Sequence, residues 1–427
     1  MEADADAHAL SRFAASIKPS PILTFAAEIN ARKQRGETLH NLTVGDFDAS
    51  IFPIPERLRD CVVAAYRDDQ TNYPGIAGMS VLRRAAADWS NRAFGLDCAE
   101  DEIAIASGAR PIIYALYRAV VDAGERVVYP VPSWNNATYA AMLGAEAVAV
   151  ETCAEQHFMP TAEALAPHLP GASLLALCAP QNPTGTLFEA NNLRAICDLV
   201  VDENRRRENA RSPQKPLYVM FDQVYWALTF GERAFHHPLS VCPQIRDYAV
   251  FVDGLSKAFA ATGLRVGWAL GPRKLLARMS ALIAHIGAWA PKPEQVAAGA
   301  FLADADALEQ HLAAFRARLS ARLDAFHRGL LALRQKGHAV DAIAPQAAIY
   351  LSVKIALQGR RARDGVLDGD DAAQAYLLDR ARIGLLPFSW FGARDCADWF
   401  RLSVGACRRE HIPTILANLE DALDELS

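Results

Sequence analysis

The 427-residue sequence holds eight cysteines, at 61, 98, 153, 178, 197, 242, 396 and 407, and no two of them form a Cys-x-x-Cys pair. That scatter gives no support to a zinc or redox motif and is expected of free thiols in a reducing compartment. No apolar run reaches the ~18 residues of a membrane-spanning helix. The opening decapeptide MEADADAHAL is acidic where a secretory or transit leader is basic. There is no excess of basic charge either: 44 Lys+Arg against 49 Asp+Glu leaves a net charge of −5, without the electrostatic footprint of a nucleic-acid binder. No internal repeat is visible. A cytoplasmic protein with no membrane segment, no nucleic-acid partner and no metal is expected.

What the chain does have is apolar content, 52% of residues, enough for a large core. At this length one large domain plus a smaller one is the default. From about residue 100 to 270, strand and helix signals alternate. Ile103–Ala106 reads as a strand, followed by a helix whose apolar residues (Ile112, Ile113, Leu116, Tyr117, Val120, Val121) recur at helical spacing. Pro111 lies in its first turn and Gly124 just past its end. Arg126–Val131 is the next strand and 135–143 the next helix. The apolar runs 173–179, 216–221 and 248–252 read as buried strands. Continuous apolar strands separated by helices indicate an α/β fold with a mainly parallel sheet covered on both faces. Ligands in such sheets bind at the carboxyl ends of the strands. A long helical stretch is expected over 293–336, broken near 304–306. The charged segments 202–215 and 359–371 read as solvated surface insertions, the second mobile.

Each polar motif follows one of these strands. Ser107-Gly108-Ala109-Arg110 follows the first, Pro132-Ser133-Trp134 the second and Pro180-Gln181-Asn182 the third. Asp222 and Tyr225 end or follow the fourth, and Ser256-Lys257 the fifth. Five loops are therefore expected on one edge. Lys257 sits in GLSKAFAATGLRVG, among small and apolar residues rather than on a charged surface helix. A nucleophilic lysine needs such surroundings. Arg265, eight residues on and flanked by small residues, adds a guanidinium suited to a phosphate.

This segment resembles the lysine signature of the class I/II aminotransferases, the aspartate aminotransferase-like family of pyridoxal-phosphate (PLP) fold type I. The resemblance runs through the other motifs from about Asn41 to Arg401. It implies a large PLP-binding domain over 45–300, and a smaller α/β domain formed by 1–44 with 301–427. It also implies an enzyme that moves an amino group from an L-amino acid to a 2-oxo acid, with Lys257 joining the cofactor and acting as general acid/base. Gly108, Ala109 and Arg110 open a helix whose free amides make a phosphate cradle, with Arg265 beside it. Ser256 is a further phosphate candidate, because Gly254 stands where many relatives carry a phosphate-binding serine. Trp134, in PVPSWNN, is expected to stack on the cofactor ring. Asn182, in APQNPTG, and Tyr225 bond its phenolic oxygen. Asp222, in VMFDQVY, pairs with the ring nitrogen. Most similar enzymes have glutamate after that aspartate, and this chain has Gln223.

Arg401, in WFRLSVG, suits bidentate binding of a substrate carboxylate, with Gly45, Asn182 and Trp134 nearby. Tyr73, in TNYPGIAG, resembles the tyrosine that reaches a neighbouring subunit's cofactor, which implies a homodimer. Arg110 either meets a distal substrate carboxylate or only neutralises phosphate. Trp226, Trp289, Trp390 and Phe391 either line an apolar wall that favours aromatic substrates or belong to the core. The same fold also hosts C–S lyases, decarboxylases and synthases. A non-enzymatic regulator built on this fold would carry a basic DNA-binding module, for which about forty residues ahead of the first motif give no sign.

Overall fold

The computed structural model describes residues 10, 11, 14, 17, 20–363 and 365–427. The acidic opening decapeptide therefore lies, except for Leu10, outside the described residues. Asp364, within the 359–371 segment, lies outside them as well.

Seven strands form the principal sheet: β2 (Ile103–Ala106), β3 (Arg126–Val131), β4 (Glu146–Glu151), β5 (Ala172–Cys178), β6 (Tyr218–Asp222), β7 (Ala249–Gly254) and β8 (Gly267–Leu270). Their order is β2-β8-β7-β6-β5-β3-β4. All pairings are parallel except those of β8, which runs antiparallel to both β7 and β2. The interior strands are continuous apolar runs because helices cover both faces; β5 and β7 are buried almost throughout. Edge strand β4, with its alternating EAVAVE, stays half exposed. The sequence pattern alone does not reveal β4 or the four-residue β8. Strands expected at 173–179, 216–221 and 248–252 are found shifted by one or two residues.

The helix after β2, Ala109–Val120, buries Ile112, Ile113, Leu116, Tyr117 and Val120. The expected long helical stretch is two helices, Lys292–Leu302 and Ala305–Gln335. Asp304 makes the break, its carboxylate accepting the Ala307 N–H at 3.1 Å as an N-cap.

A second sheet, β14-β15-β10-β9, is antiparallel and comprises β9 (Val340–Ala342), β10 (Tyr350–Ile355), β14 (Leu386–Pro387) and β15 (Trp399–Ser403). A short β1 (His40–Asn41) pairs in parallel with β13 (Ile383–Gly384). Beyond β1 the chain is hung on β15, with Ser403 N–H donating to Leu42 O at 2.9 Å. That brings the Gly45 loop against the Arg401 strand.

One expectation about the charged segments is corrected. Within 202–215, Glu203, Asn204 and Arg207 are buried rather than solvated. Arg207 pairs with Glu203 at 2.7 Å and donates to the carbonyls of Ala172 and Lys215. Asn204 exchanges two hydrogen bonds with the Leu217 backbone. The segment thus ties down the starts of β5 and β6, satisfying backbone groups that burial would otherwise leave unpaired. Segment 359–371 stays largely at the surface; within it β11 (Arg361–Ala362) pairs with β12 (Gly365–Val366), and Arg361 exchanges backbone bonds with Ser427.

The β7–β8 contact explains Gly254. A Cβ on that residue would lie 2.7 Å from Val266 O and 2.9 Å from the Gly267 Cα, both backbone atoms. A serine has no room there once β8 runs back against β7. Gly254→Ser is expected to destabilise the protein by about 1–3 kcal/mol, the usual cost of overpacking. Thermal unfolding beside wild type measures it; an unchanged melting temperature contradicts the close strand approach.

Candidate active site

The carboxyl ends of β2, β3, β5, β6 and β7 meet at one edge of the principal sheet, as the alternating pattern implies. The antiparallel β8 adds a sixth contributor, because its beginning rather than its end lies there. The groups from this edge, the Gly45 loop and Arg401 line a cavity of about 520 Å³. Its walls include Gly45, Ala109, Arg110, Trp134, Asn182, Asp222, Tyr225, Ser256, Lys257, Arg265 and Arg401. Gly108 lies just behind the lining.

Gly108 has φ +86°, and a Cβ there would sit 2.4 Å from the Arg265 Nη2. The missing side chain lets the Arg265 guanidinium pack on the turn that opens the Ala109–Val120 helix. Arg265, itself left-handed at φ 55°, is fixed by donating to Thr262 O at 2.7 Å and Ser107 O at 3.0 Å. A helix N-terminus plus an arginine without a carboxylate partner is a ready anion cradle.

Lys257 donates from Nζ to Gly45 O at 2.6 Å and lies 5.8 Å from the Tyr225 ring centroid. Burial lowers its pKa from 10.5 to about 8; Arg401 and Arg110 push the same way, and Asp46 and Asp222 oppose. Asp222 ends β6, its carboxylate accepting the Val224 N–H at 3.2 Å. Burial raises its pKa to about 6, against the pull of that bond and of Lys257.

Arg401 is buried. It donates to Asn182 Oδ1 at 2.8 Å and to Thr43 O, while Nε has no partner. The Tyr350 and Phe391 rings face it at 4.5 and 5.0 Å. A Cβ on Gly45 would come within 2.9 Å of the Tyr350 hydroxyl, so the glycine keeps this corner open. The Tyr225 and Tyr350 hydroxyls are 2.6 Å apart, and burial first, then Tyr350, pushes the Tyr225 pKa well up. Both hydroxyls therefore keep their protons at neutral pH, one donating to the other.

Four aromatic expectations resolve. Trp226 packs against Trp89 and Phe94, Trp390 against Phe25, and Trp289 against Tyr73; none lines the cavity. Phe391 is buried beneath Arg401. The apolar wall comes instead from Ile22, Leu23 and Ala26 of the Pro21–Gln34 helix, with Ile113. Tyr73 stands outside the cavity, 83% exposed, so its own chain does not bring it to this site. Tyr350 and Asp46 carry no sequence motif that marks them for the site, and Thr262, although it lies within the Lys257 segment, is not singled out by it. Asp46 accepts the Thr262 hydroxyl at 2.8 Å beside Lys257; its place next to Gly45 is the one available signal.

Comparison with known proteins places the chain in a family. The family model of aminotransferase class I and II matches residues 37–419. Aspartate aminotransferase of Geobacillus stearothermophilus is 26% identical, with 90% of this chain and 92% of the relative covered. A probable aspartate/prephenate aminotransferase of Rickettsia felis is also 26% identical, with 96% of each covered. The crystal structure of the aspartate aminotransferase from Rhizobium meliloti superposes with a TM-score of 0.87 at 26% identity, covering 98% of this chain and 99% of that one. The chain belongs to the class I and II aminotransferases. It has the PLP fold-type I architecture and is a PLP-dependent transaminase. The residues fit that cofactor: an anion cradle, a buried carboxylate without a cation in contact, and a lysine with a lowered pKa share one cavity.

In protein freed of cofactor, the Lys257 shift has a signed consequence. Between about pH 8 and 10.5 the unfolded chain binds the Lys257 proton and the folded chain does not, so wild-type stability rises with pH across that window. Lys257→Met, which has no such titration, should be more stable than wild type by about 1–3 kcal/mol below pH 8, with the difference shrinking toward pH 10. Denaturant unfolding at pH 7 and pH 10 checks this; a pH-independent difference would show that the buried amine titrates normally.

Proposed function

We propose that the site transaminates amino acids with a distal carboxylate, of the aspartate and glutamate class. The observation that carries this reading is a pair of guanidiniums, Arg401 and Arg110, that face the cavity without a carboxylate partner among the described residues. Arg401 is buried and calls for an anion, and the more exposed Arg110 adds a second cation at the cavity. Arg401 supplies that call at one end, with its unpaired Nε and the open Gly45 corner receiving the α-carboxylate. Arg110 stands at the other end, its guanidinium 5.5 Å from the Trp134 ring. Because Arg265 already packs against the Gly108 turn, Arg110 is free to serve the substrate's far end. The relatives named for aspartate support this choice.

Gly108, Ala109, Ser256 and Arg265 would hold the cofactor's phosphate, and Trp134 would cover its ring. Asp222 would hold the proton on the ring nitrogen. Tyr225 and Asn182 would donate to the phenolic oxygen; Asn182 has spent its oxygen on Arg401, which leaves its amide N–H groups free. PLP supplies an electrophilic carbon that joins amines and a ring that takes up the electron pair left at Cα. Lys257 Nζ removes the Cα proton and returns it during the transfer, a task suited to an amine titrating near 8. Ile22, Leu23 and Ala26 screen the reacting groups from water.

The reading extends to organisation. Residues 45–300 form the cofactor-binding domain, and 1–44 with 301–427 the smaller one. Tyr73, exposed and outside its own cavity, would serve the site of a second copy, which makes the active unit a homodimer. Eight free cysteines suit a cytoplasmic setting; among the described residues no helix is long and apolar enough to cross a membrane.

The test is a panel of amino donors given to wild type and Arg110→Ala. The preference for aspartate and glutamate over phenylalanine and tyrosine, taken as a ratio of kcat/KM, should fall by roughly 10- to 100-fold in the variant. An unchanged ratio removes Arg110 from substrate recognition.

A further inference from the structure

Tyr350 stands where the antiparallel sheet meets the site. The chain enters β10 between two of the site's own segments. The Ala347 N–H donates to Gly185 O at 3.0 Å, in the turn that carries Asn182, and the Ala348 N–H donates to Leu228 O at 2.8 Å, three residues beyond Tyr225. Gly185 permits this approach, because a Cβ there would collide with Tyr350 O. Antiparallel pairing sets Tyr350 opposite Ser403 and Ser352 opposite Arg401, so Tyr350 and Arg401 are diagonal neighbours on one face. The buried phenol ring lies against the guanidinium at 4.5 Å, and its edge-to-face partner is the Tyr225 ring at 5.5 Å. The two hydroxyls are 2.6 Å apart, and Tyr225 is the only hydrogen-bond partner of the Tyr350 hydroxyl among the described residues. Each hydroxyl has one proton to give and lone pairs to accept another. If Tyr225 donates to Tyr350, its proton is spent inside the protein. If Tyr350 donates to Tyr225, the Tyr225 proton is free for an acceptor in the cavity. The Arg401 charge against the Tyr350 ring favours the second order, by making that hydroxyl more acidic.

We propose that Tyr350 is a positioning residue for Tyr225: it donates its hydroxyl proton to the Tyr225 oxygen, which turns the Tyr225 proton toward the cofactor's phenolic oxygen and strengthens that second bond. Hydrogen bonds in such a chain polarise one another. The more firmly Tyr225 donates, the less electron density the phenolic oxygen can offer to a proton on the Lys257 nitrogen joined to the cofactor. Tyr350 therefore lowers the pH at which that nitrogen gives up its proton, and it does so only through Tyr225.

This inference rests on the reading that Tyr225 faces the phenolic oxygen, and the test separates the two. PLP-loaded wild type, Tyr350→Phe, Tyr225→Phe and the double variant are titrated with pH, following the yellow absorption of the Lys257-linked cofactor. Every variant keeps both rings, so Arg401 retains its aromatic face. Tyr225→Phe should raise the midpoint at which the yellow form is lost. Tyr350→Phe should raise it by less, roughly 0.3–1 pH unit, the scale of weakening one hydrogen bond. In the Tyr225→Phe background, removing the Tyr350 hydroxyl should add nothing, because the two act in series. A Tyr350→Phe midpoint that is unchanged or lowered, or a shift that persists without the Tyr225 hydroxyl, overturns the role of Tyr350 while leaving Tyr225 at the phenolic oxygen. If Tyr225→Phe itself leaves the midpoint in place, both readings fall.

Discussion

One buried guanidinium, Arg401, and four less buried charged groups meet at this site without pairing with one another. Lys257, Arg401, Asp222, Arg265 and Arg110 surround one cavity, yet no two of them stand within ion-pair distance of each other. Each is held by neutral groups: a glycine carbonyl, an asparagine oxygen, a backbone N–H, aromatic faces. Burial then works on the lysine, Arg401 and the aspartate, lowering the first two and raising the third. Such an arrangement is unfavourable for a protein alone and becomes favourable when a ligand of matching charges fills it. A phosphate, a cationic ring nitrogen and an amino-acid carboxylate are the complement it lacks.

The sheet makes that concentration possible. Parallel strands put their carboxyl ends on one edge, and each end delivers one group to the same space. The reversal of β8 adds Arg265 from a strand beginning and requires glycine at 254 and 267, where the backbones touch. The buried Arg207–Glu203 pair and Asn204 secure the opposite, entering ends of β5 and β6. The antiparallel sheet carries Arg401 on β15, and the same strand holds the Gly45 loop in place. Anchor and lysine are thus set by two different sheets, and their spacing depends on how those sheets pack.

Much of this is legible in the sequence, for an identifiable reason. Buried parallel strands leave continuous apolar runs, and the functional residues follow them as short polar motifs, so Lys257, Asp222, Asn182 and Trp134 can be placed from the order of residues alone. What is not legible depends on contacts between distant segments. Tyr350 reaches Tyr225 across 125 residues, and nothing in its own neighbourhood marks it. The Pro21–Gln34 helix has an apolar face, but only packing shows that its Ile22 and Leu23 also line the cavity. Segment 202–215 reads as solvated because charge is visible in a sequence and the carbonyls that satisfy it are not.

The central claim is that this cavity carries an amino group from one acid to another. The most direct measurement is the near-visible absorption of the PLP-loaded protein as aspartate or glutamate is added, followed by a 2-oxo acid. The account predicts a yellow band that is lost with stoichiometric release of the donor's 2-oxo acid and returns when a second 2-oxo acid is supplied. A band that persists with every amino acid, or that is lost with release of ammonia and never returns, would contradict it.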